Sequence, residues 1–100
     1  MARRELRFHP EAVDEAQAAR EWYEARSDTA GAKFAAELRI ALERIQALPD
    51  RWPKYLHETR RYLLHRFPYL IVYRVAIDSV EIIAVSHGRR RPGYWKKRLK

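Results

Sequence analysis

Phe67-Pro68-Tyr69-Leu70-Ile71-Val72-Tyr73-Arg74-Val75 is the stretch that decides the fold. It is the most apolar and most β-prone run in the chain, rich in the β-branched and aromatic residues that suit a pleated surface. A second run, Val80-Glu81-Ile82-Ile83-Ala84-Val85-Ser86, follows after a short polar break. The chain then turns basic at His87-Gly88-Arg89-Arg90-Arg91-Pro92-Gly93-Tyr94-Trp95. These runs predict two central antiparallel strands that deliver a positive, aromatic tail to one end of a small sheet.

Working outward, Arg60–Arg66 reads as a strand and Phe67-Pro68 as the hairpin tip, because proline cannot donate to a ladder. Tyr69–Ile77 is the next strand, Asp78-Ser79 the turn, and Val80–His87 the last strand. Strict alternation there puts Val80, Ile82 and Ala84 on one face and Glu81, Ile83, Val85 and His87 on the other. Apolar residues on both faces mark a central strand. Upstream, Glu5-Leu6-Arg7-Phe8 alternates as a short strand, ended by His9-Pro10. Pro10–Arg26 reads as a helix, with proline in its first turn, acids near its N-terminus, and a stripe of Val13, Ala16, Ala19 and Tyr23 widened by Trp22. After Ser27-Asp28-Thr29, Ala30–Leu48 reads as a second helix with a stripe of Phe34, Leu38, Ala41, Leu42, Ile45 and Leu48. Glu37, Arg39, Glu43 and Arg44 face out, and Ile40 lies off the stripe as a candidate surface contact. The short connection makes the helices an antiparallel hairpin. Pro49–Glu58 shows no period and reads as a loop, with Trp52 over a core edge. The expected fold class is α+β: an N-terminal strand, a helical hairpin, then a three-stranded antiparallel meander and a short tail, all in one domain spanning residues 1–100.

Net charge is +8 over 100 residues, and it is concentrated in one half. Residues 1–50 sum to −2 and residues 51–100 to +10. A half that basic is drawn to nucleic acid, an anionic surface or an acidic protein segment. The chain has no cysteine, which rules out disulfides and Cys-based zinc sites and fits a reducing, cytoplasmic setting. No segment is long and apolar enough to span a bilayer, so no membrane role is expected. The four histidines (His9, His57, His65, His87) are scattered and the acids are not grouped at ligand spacing, so neither metal nor cofactor is expected. No Gly-rich phosphate loop is present.

The order of elements, together with Phe8-His9-Pro10-Glu11-Ala12, Phe67-Pro68-Tyr69-x-Ile71-x-Tyr73-Arg74, Ser86-His87-Gly88 and the run Arg89 to Trp95, resembles the RelE/ParE toxin superfamily of type II toxin–antitoxin pairs. The resemblance spans nearly the whole chain. It implies a small toxin held silent by a cognate antitoxin in a hetero-oligomer, of the kind also called plasmid stabilisation proteins. ParE-like members inhibit DNA gyrase, and RelE-like members cut mRNA in the A site of the translating ribosome. Cleavage through a 2′-OH needs a base, positive charge on the phosphate and an acid for the leaving oxygen. For that activity the resemblance implies Arg61, Arg90 and Tyr94; the base is read from the residues themselves, as His87 or His65, since histidine titrates in the useful range. Leu63 and Leu70 stand where the ribonuclease branch carries Lys and Arg. These departures favour the ParE-like branch, with a ribosome-dependent endoribonuclease as one alternative and a non-toxic basic interaction module as another.

Candidate residues for binding a partner or nucleic acid are Arg74, Arg89, Arg90, Arg91, Tyr94 and Trp95. For Arg74 the competing expectation is a cross-strand pair with Glu81, and for Trp95 a place capping the core. An acid-bearing antitoxin segment is expected in the groove between helices and sheet, over the Arg run.

Overall fold

The structure is a computed structural model and describes residues 4–100. Strand β1 (Glu5–Phe8) leads into helix α1 (Pro10–Glu24) and helix α2 (Ala30–Ala47); β2 (Lys54–Tyr55), β3 (Thr59–Leu63), β4 (Tyr69–Val75) and β5 (Ser79–His87) follow. The sheet order is β1-β5-β4-β3-β2. The meander β3-β4-β5 is antiparallel, as its hairpin spacing requires, and β1 joins the far side of β5 in parallel. The sheet is therefore mixed, within the expected α+β class.

The helical hairpin covers one face. Phe34, Ala41 and Ile45 of α2 are buried against Ile71, Tyr73, Val80, Ile82 and Val85 of the sheet. Around Phe34 the rings of Tyr23, Phe67 and Tyr69 close at centroid distances of 5.2–5.5 Å. On α1 the buried stripe is Ala12 and Ala19, with Ala16 and Tyr23 partly buried. Val13 and Trp22, expected on that stripe, are exposed; the stripe keeps Ala16, Ala19 and Tyr23 and begins at Ala12 in place of Val13. Leu48 is also exposed, as the cap after α2 and not part of its stripe. Ile40 is exposed, as its phase implies.

The second face of the sheet carries a smaller core of Val72, Ile83, Ala84 and the fully buried ring of Trp95, which folds back from the tail. This face explains the departure from strict alternation. Tyr73 pairs with Ile82 while the preceding Val72 pairs with Ala84, so Ile83 is the extra residue of a β-bulge. Ile83 and Ala84 both face Trp95, and Val85 returns to the helix side. Ala84 and Val85 thus lie opposite to where a period of two puts them.

Several boundaries move. Helix α1 stops at Glu24, because the Arg26 and Ser27 amides both turn back to the Tyr23 carbonyl. Strand β3 stops at Leu63, short of Arg66. The hairpin loop beyond it is held by Glu37 of α2, whose carboxylate accepts from the backbone N–H groups of His65 and Arg66. Glu37 was expected to face solvent. Strand β4 ends at Val75, and Ile77 sits in the turn at 94 % exposure. The loop before β3 contains the two-residue strand β2, too short to carry a period.

Tyr73 is buried and its hydroxyl donates to the Pro49 carbonyl at 2.6 Å. Burial, with Asp50 adding to it and Arg60 opposing it, pushes the phenol up to about 12. The fold favours the neutral phenol, so its contribution to stability is intact below the ordinary value near 10 and declines as pH rises from there towards about 12. Absorbance titration at 295 nm is expected to show at least one tyrosine ionising near the unfolding step. A chain whose tyrosines all ionise near 10 while folded would refute it.

Loop residues His57 and Glu58 both have positive φ, 56° and 60°. The left-handed region costs an L-residue about 1–2 kcal/mol. Glu58 is exposed, so Glu58→Gly is expected to stabilise by about 0.5–1 kcal/mol after the added chain entropy is deducted. A thermal melt would read this as a rise of about 3–6 °C; a fall would mean that the Glu58 side chain holds the loop.

Candidate functional site

The tail leaves β5 at His87 beside α1, and the two wall a cleft of about 470 Å³. Its lining includes Glu15, Trp22 and Tyr23 from α1, Tyr69 from the start of β4, and His87, Arg90 and Tyr94 from the end of β5 and the tail. The tail is fixed in three ways. The Arg90 amide bonds to the His87 carbonyl, and the Tyr94 amide to the Arg91 carbonyl. Gly93 turns at φ 83°, a conformation that glycine adopts without strain. Trp95 is then buried against Val72, Ile83 and Ala84.

At the back of the cleft Glu15 gathers four donors. Its carboxylate accepts from the Tyr94 hydroxyl at 2.5 Å, from both terminal nitrogens of Arg98 at 2.9 and 3.0 Å, and from the Val85 amide at 3.0 Å. Arg98 also donates to the Ile83 carbonyl at 3.0 Å. These backbone groups lie just past the last β1–β5 pair, Phe8↔Ile82. A carboxylate and a guanidinium thus continue the ladder where β1 has ended. Burial by itself raises the Glu15 carboxyl pKa, but the bonds from Arg98, Tyr94 and the Val85 amide outweigh it and hold the group below its ordinary value. Burial and the bond to Glu15 both raise the Tyr94 phenol. For Arg98, burial works against the charged form and the Glu15 contacts overcome it.

The sequence candidates divide clearly. His87, Arg90 and Tyr94 line the cleft together, with the Arg90 guanidinium 3.8 Å from the centre of the Tyr94 ring. His87 Nδ1 accepts from the Arg89 amide at 3.0 Å, and its ring meets Tyr69 edge-on at 5.0 Å. Arg89 and Arg91 are exposed beside the cleft without lining it. Arg61 is elsewhere: it pairs with Val72, on the face away from the helices, and its guanidinium lies 5.0 Å from the Tyr55 ring. On that same face Leu63 pairs with Leu70. Arg74 is engaged by Glu81, at 2.7 and 2.8 Å, and by the Leu99 carbonyl at 3.0 Å. It fastens the short turn Lys96–Leu99 to the sheet, so the cross-strand pair prevails over a free, partner-facing charge. Trp95, at 1 % exposure, offers no ring surface to a partner and serves the core.

Glu15 and Arg98 are the residues that sequence reasoning missed. The acids of α1 were read as complements to the helix dipole. A signal was present all the same: Glu15 lies three residues after Ala12 and four before Ala19, inside the buried stripe. An acid there requires a cation from another element.

No helix among the described residues is long and apolar enough to cross a membrane. A solved structure described as "Chromosomal ParDE TA system from P. aeruginosa" shares this fold, with a TM-score of 0.63 at 17% sequence identity, over 84% of this chain and 95% of that chain. No curated protein sequence matches the chain significantly. The family model for the ParE toxin of the type II toxin–antitoxin system, parDE, matches residues 6–92, from β1 through the whole sheet to the Arg run of the cleft. On that match the chain belongs to the ParE toxin family.

Proposed function

We propose that this ParE-family chain inhibits DNA gyrase by binding it, with no chemistry of its own, and that a cognate antitoxin silences it. The observation that carries the reading is the Leu63–Leu70 pair on the face of the sheet away from the helices. A ribonuclease of this fold needs cations there to neutralise the charge building on a phosphate, and two leucines supply none. The Tyr94 hydroxyl supports the same reading, because its O–H is already engaged in a hydrogen bond to Glu15. The antitoxin would bring an acid-bearing amphipathic segment into the cleft beside Arg89, Arg90 and Arg91, ordering as it binds. Both encounters would take place in the cytoplasm, in the service of plasmid stabilisation or growth arrest.

The test is a gyrase supercoiling assay with purified chain. Supercoiling is expected to fall, and cleaved gyrase–DNA complexes to accumulate, near equimolar toxin. Unaltered supercoiling at a large excess of toxin would end this reading.

One observation favours a second reading. His87, Arg90 and Tyr94 share one cleft, as a ribosome-dependent endoribonuclease would require. Toeprinting of translating ribosomes distinguishes it by fresh cuts in the A site. Growth that continues when the chain is induced alone would point instead to a non-toxic binding module.

A further inference from the structure

The tail's backbone holds Arg90 through the hydrogen bond from its amide to the His87 carbonyl, and its side chain has a platform beneath it. Its guanidinium rests 3.8 Å from the Tyr94 ring centre, and Tyr94 is tied through its hydroxyl to Glu15 of α1. The Arg98 guanidinium, 5.2 Å from the same ring, is clamped by Glu15 as well. One carboxylate therefore fixes the platform on which Arg90 lies. The side chain of Arg98 is only 8 % exposed and that of Glu15 17 %, so the close pair is formed inside the protein, with the exposed Glu11 carboxylate 3.6 Å from Arg98 on the outside. Arg90 faces the cleft with its own charge uncompensated by Glu15.

We propose that Glu15 is a positioning residue: acting through Tyr94, it sets the Arg90 guanidinium in the orientation that meets a carboxylate-bearing partner in the cleft. The proposal rests on the reading of this cleft as the place where an acidic partner segment lies. It makes a prediction opposite in sign to simple electrostatics. Removing an acid from a cationic cleft strengthens the binding of an acidic ligand if only charge matters. Removing a positioning residue weakens it, because the cation loses its preorganised place.

The experiment uses the full chain with Glu15→Gln, Tyr94→Phe, Arg90→Ala and the double variant Glu15→Gln/Arg90→Ala. The first readout needs no partner. The side-chain protons of Arg90, stacked on Tyr94, are expected to show an upfield ring-current shift in NMR spectra. That shift is expected to be lost in Glu15→Gln and in Tyr94→Phe, which keeps the ring but cuts its tie. A shift that is absent in the parent chain, or that persists in either variant, overturns the proposal.

The second readout is the binding of a fluorescent oligoglutamate peptide. Glu15→Gln and Tyr94→Phe are expected to bind it about fivefold to tenfold more weakly, the loss of one well-placed charge-assisted contact. The double variant is expected to bind no more weakly than Arg90→Ala. Tighter binding by Glu15→Gln, or additive losses in the double variant, overturns the proposal. If the parent chain ignores the peptide, the reading of the cleft fails, and the ring-current comparison still judges the positioning role. Should Glu15→Gln fold poorly, Tyr94→Phe carries both readouts.

Discussion

Replacing Phe34 with alanine is expected to remove most of the chain's stability. The ring is fully buried and sits where α2 meets the sheet, with Tyr23 stacked on it at 5.5 Å and Phe67 and Tyr69 edge-on at 5.2 and 5.3 Å. Truncating a buried Phe costs about 3–5 kcal/mol through lost transfer energy and the cavity left behind. Loss of aromatic pairing adds about 0.5–1.5 kcal/mol per good contact. A domain of this size has about 5–15 kcal/mol in total, so the variant should lie close to half-unfolded at physiological temperature. The same cluster packs the hairpin tip through Phe67, so the β3–β4 loop should loosen as well. Urea titration followed by circular dichroism is the check. A loss below about 1.5 kcal/mol would mean that the neighbouring rings collapse into the space, unlike most buried aromatic sites.

The second large effect is expected at Glu15→Ala, for a different reason. Here no cavity dominates; a buried guanidinium is stranded. Arg98 would keep the Ile83 carbonyl and the exposed Glu11 carboxylate at 3.6 Å but lose its close, buried partner. Breaking one half of a buried pair costs about 3–5 kcal/mol, because the remaining charge stays desolvated. Arg98 can also swing into solvent with its turn, and the loss should therefore fall near the lower end, about 3 kcal/mol. The Val85 amide and the Tyr94 hydroxyl lose their acceptor at the same time. Adding Arg98→Ala should restore part of the loss, which separates a stranded charge from mere lost packing. The pH dependence has a definite sign. Because the folded carboxyl lies below its ordinary value near 4.5, its contribution is complete above that value and disappears as pH falls through the lower, folded one. The parent chain should therefore lose stability on acidification, and Glu15→Gln should show a flatter profile. Parallel profiles for the two chains would contradict the pairing.

Much of this architecture was legible in the sequence because it rests on local rules. The period of Phe34, Leu38, Ala41 and Ile45 gave α2, and Pro10 marked the start of α1. Two β-prone runs split by Asp78-Ser79 gave the β4–β5 hairpin. What escaped the reading depends on distant partners. The bulge at Ile83 follows from the need to pack Trp95 against one face while Val85 returns to the other, and no window of β5 contains that demand. The choice of Ala12 over Val13 at the start of the α1 stripe is set by how closely alanines can approach the sheet. Of the cleft, His87, Arg90 and Tyr94 were named from their place after the last strand. Glu15 was not, since its partners lie up to 83 positions away. Arg61 was grouped with them on the family resemblance, and the strand pairing sends it to the opposite face.

The parallel strand at the sheet's far side has a consequence for how the molecule comes into being. Glu5 to Phe8 can find their ladder only once Ser79 to Ile82 exist, and α1 receives its ionic clamp only from residue 98. Vectorial synthesis therefore yields a helical hairpin early and the finished cleft last of all. The cleft of a nascent chain stays incomplete until Arg98 has emerged, so no competent molecule can precede that point of synthesis.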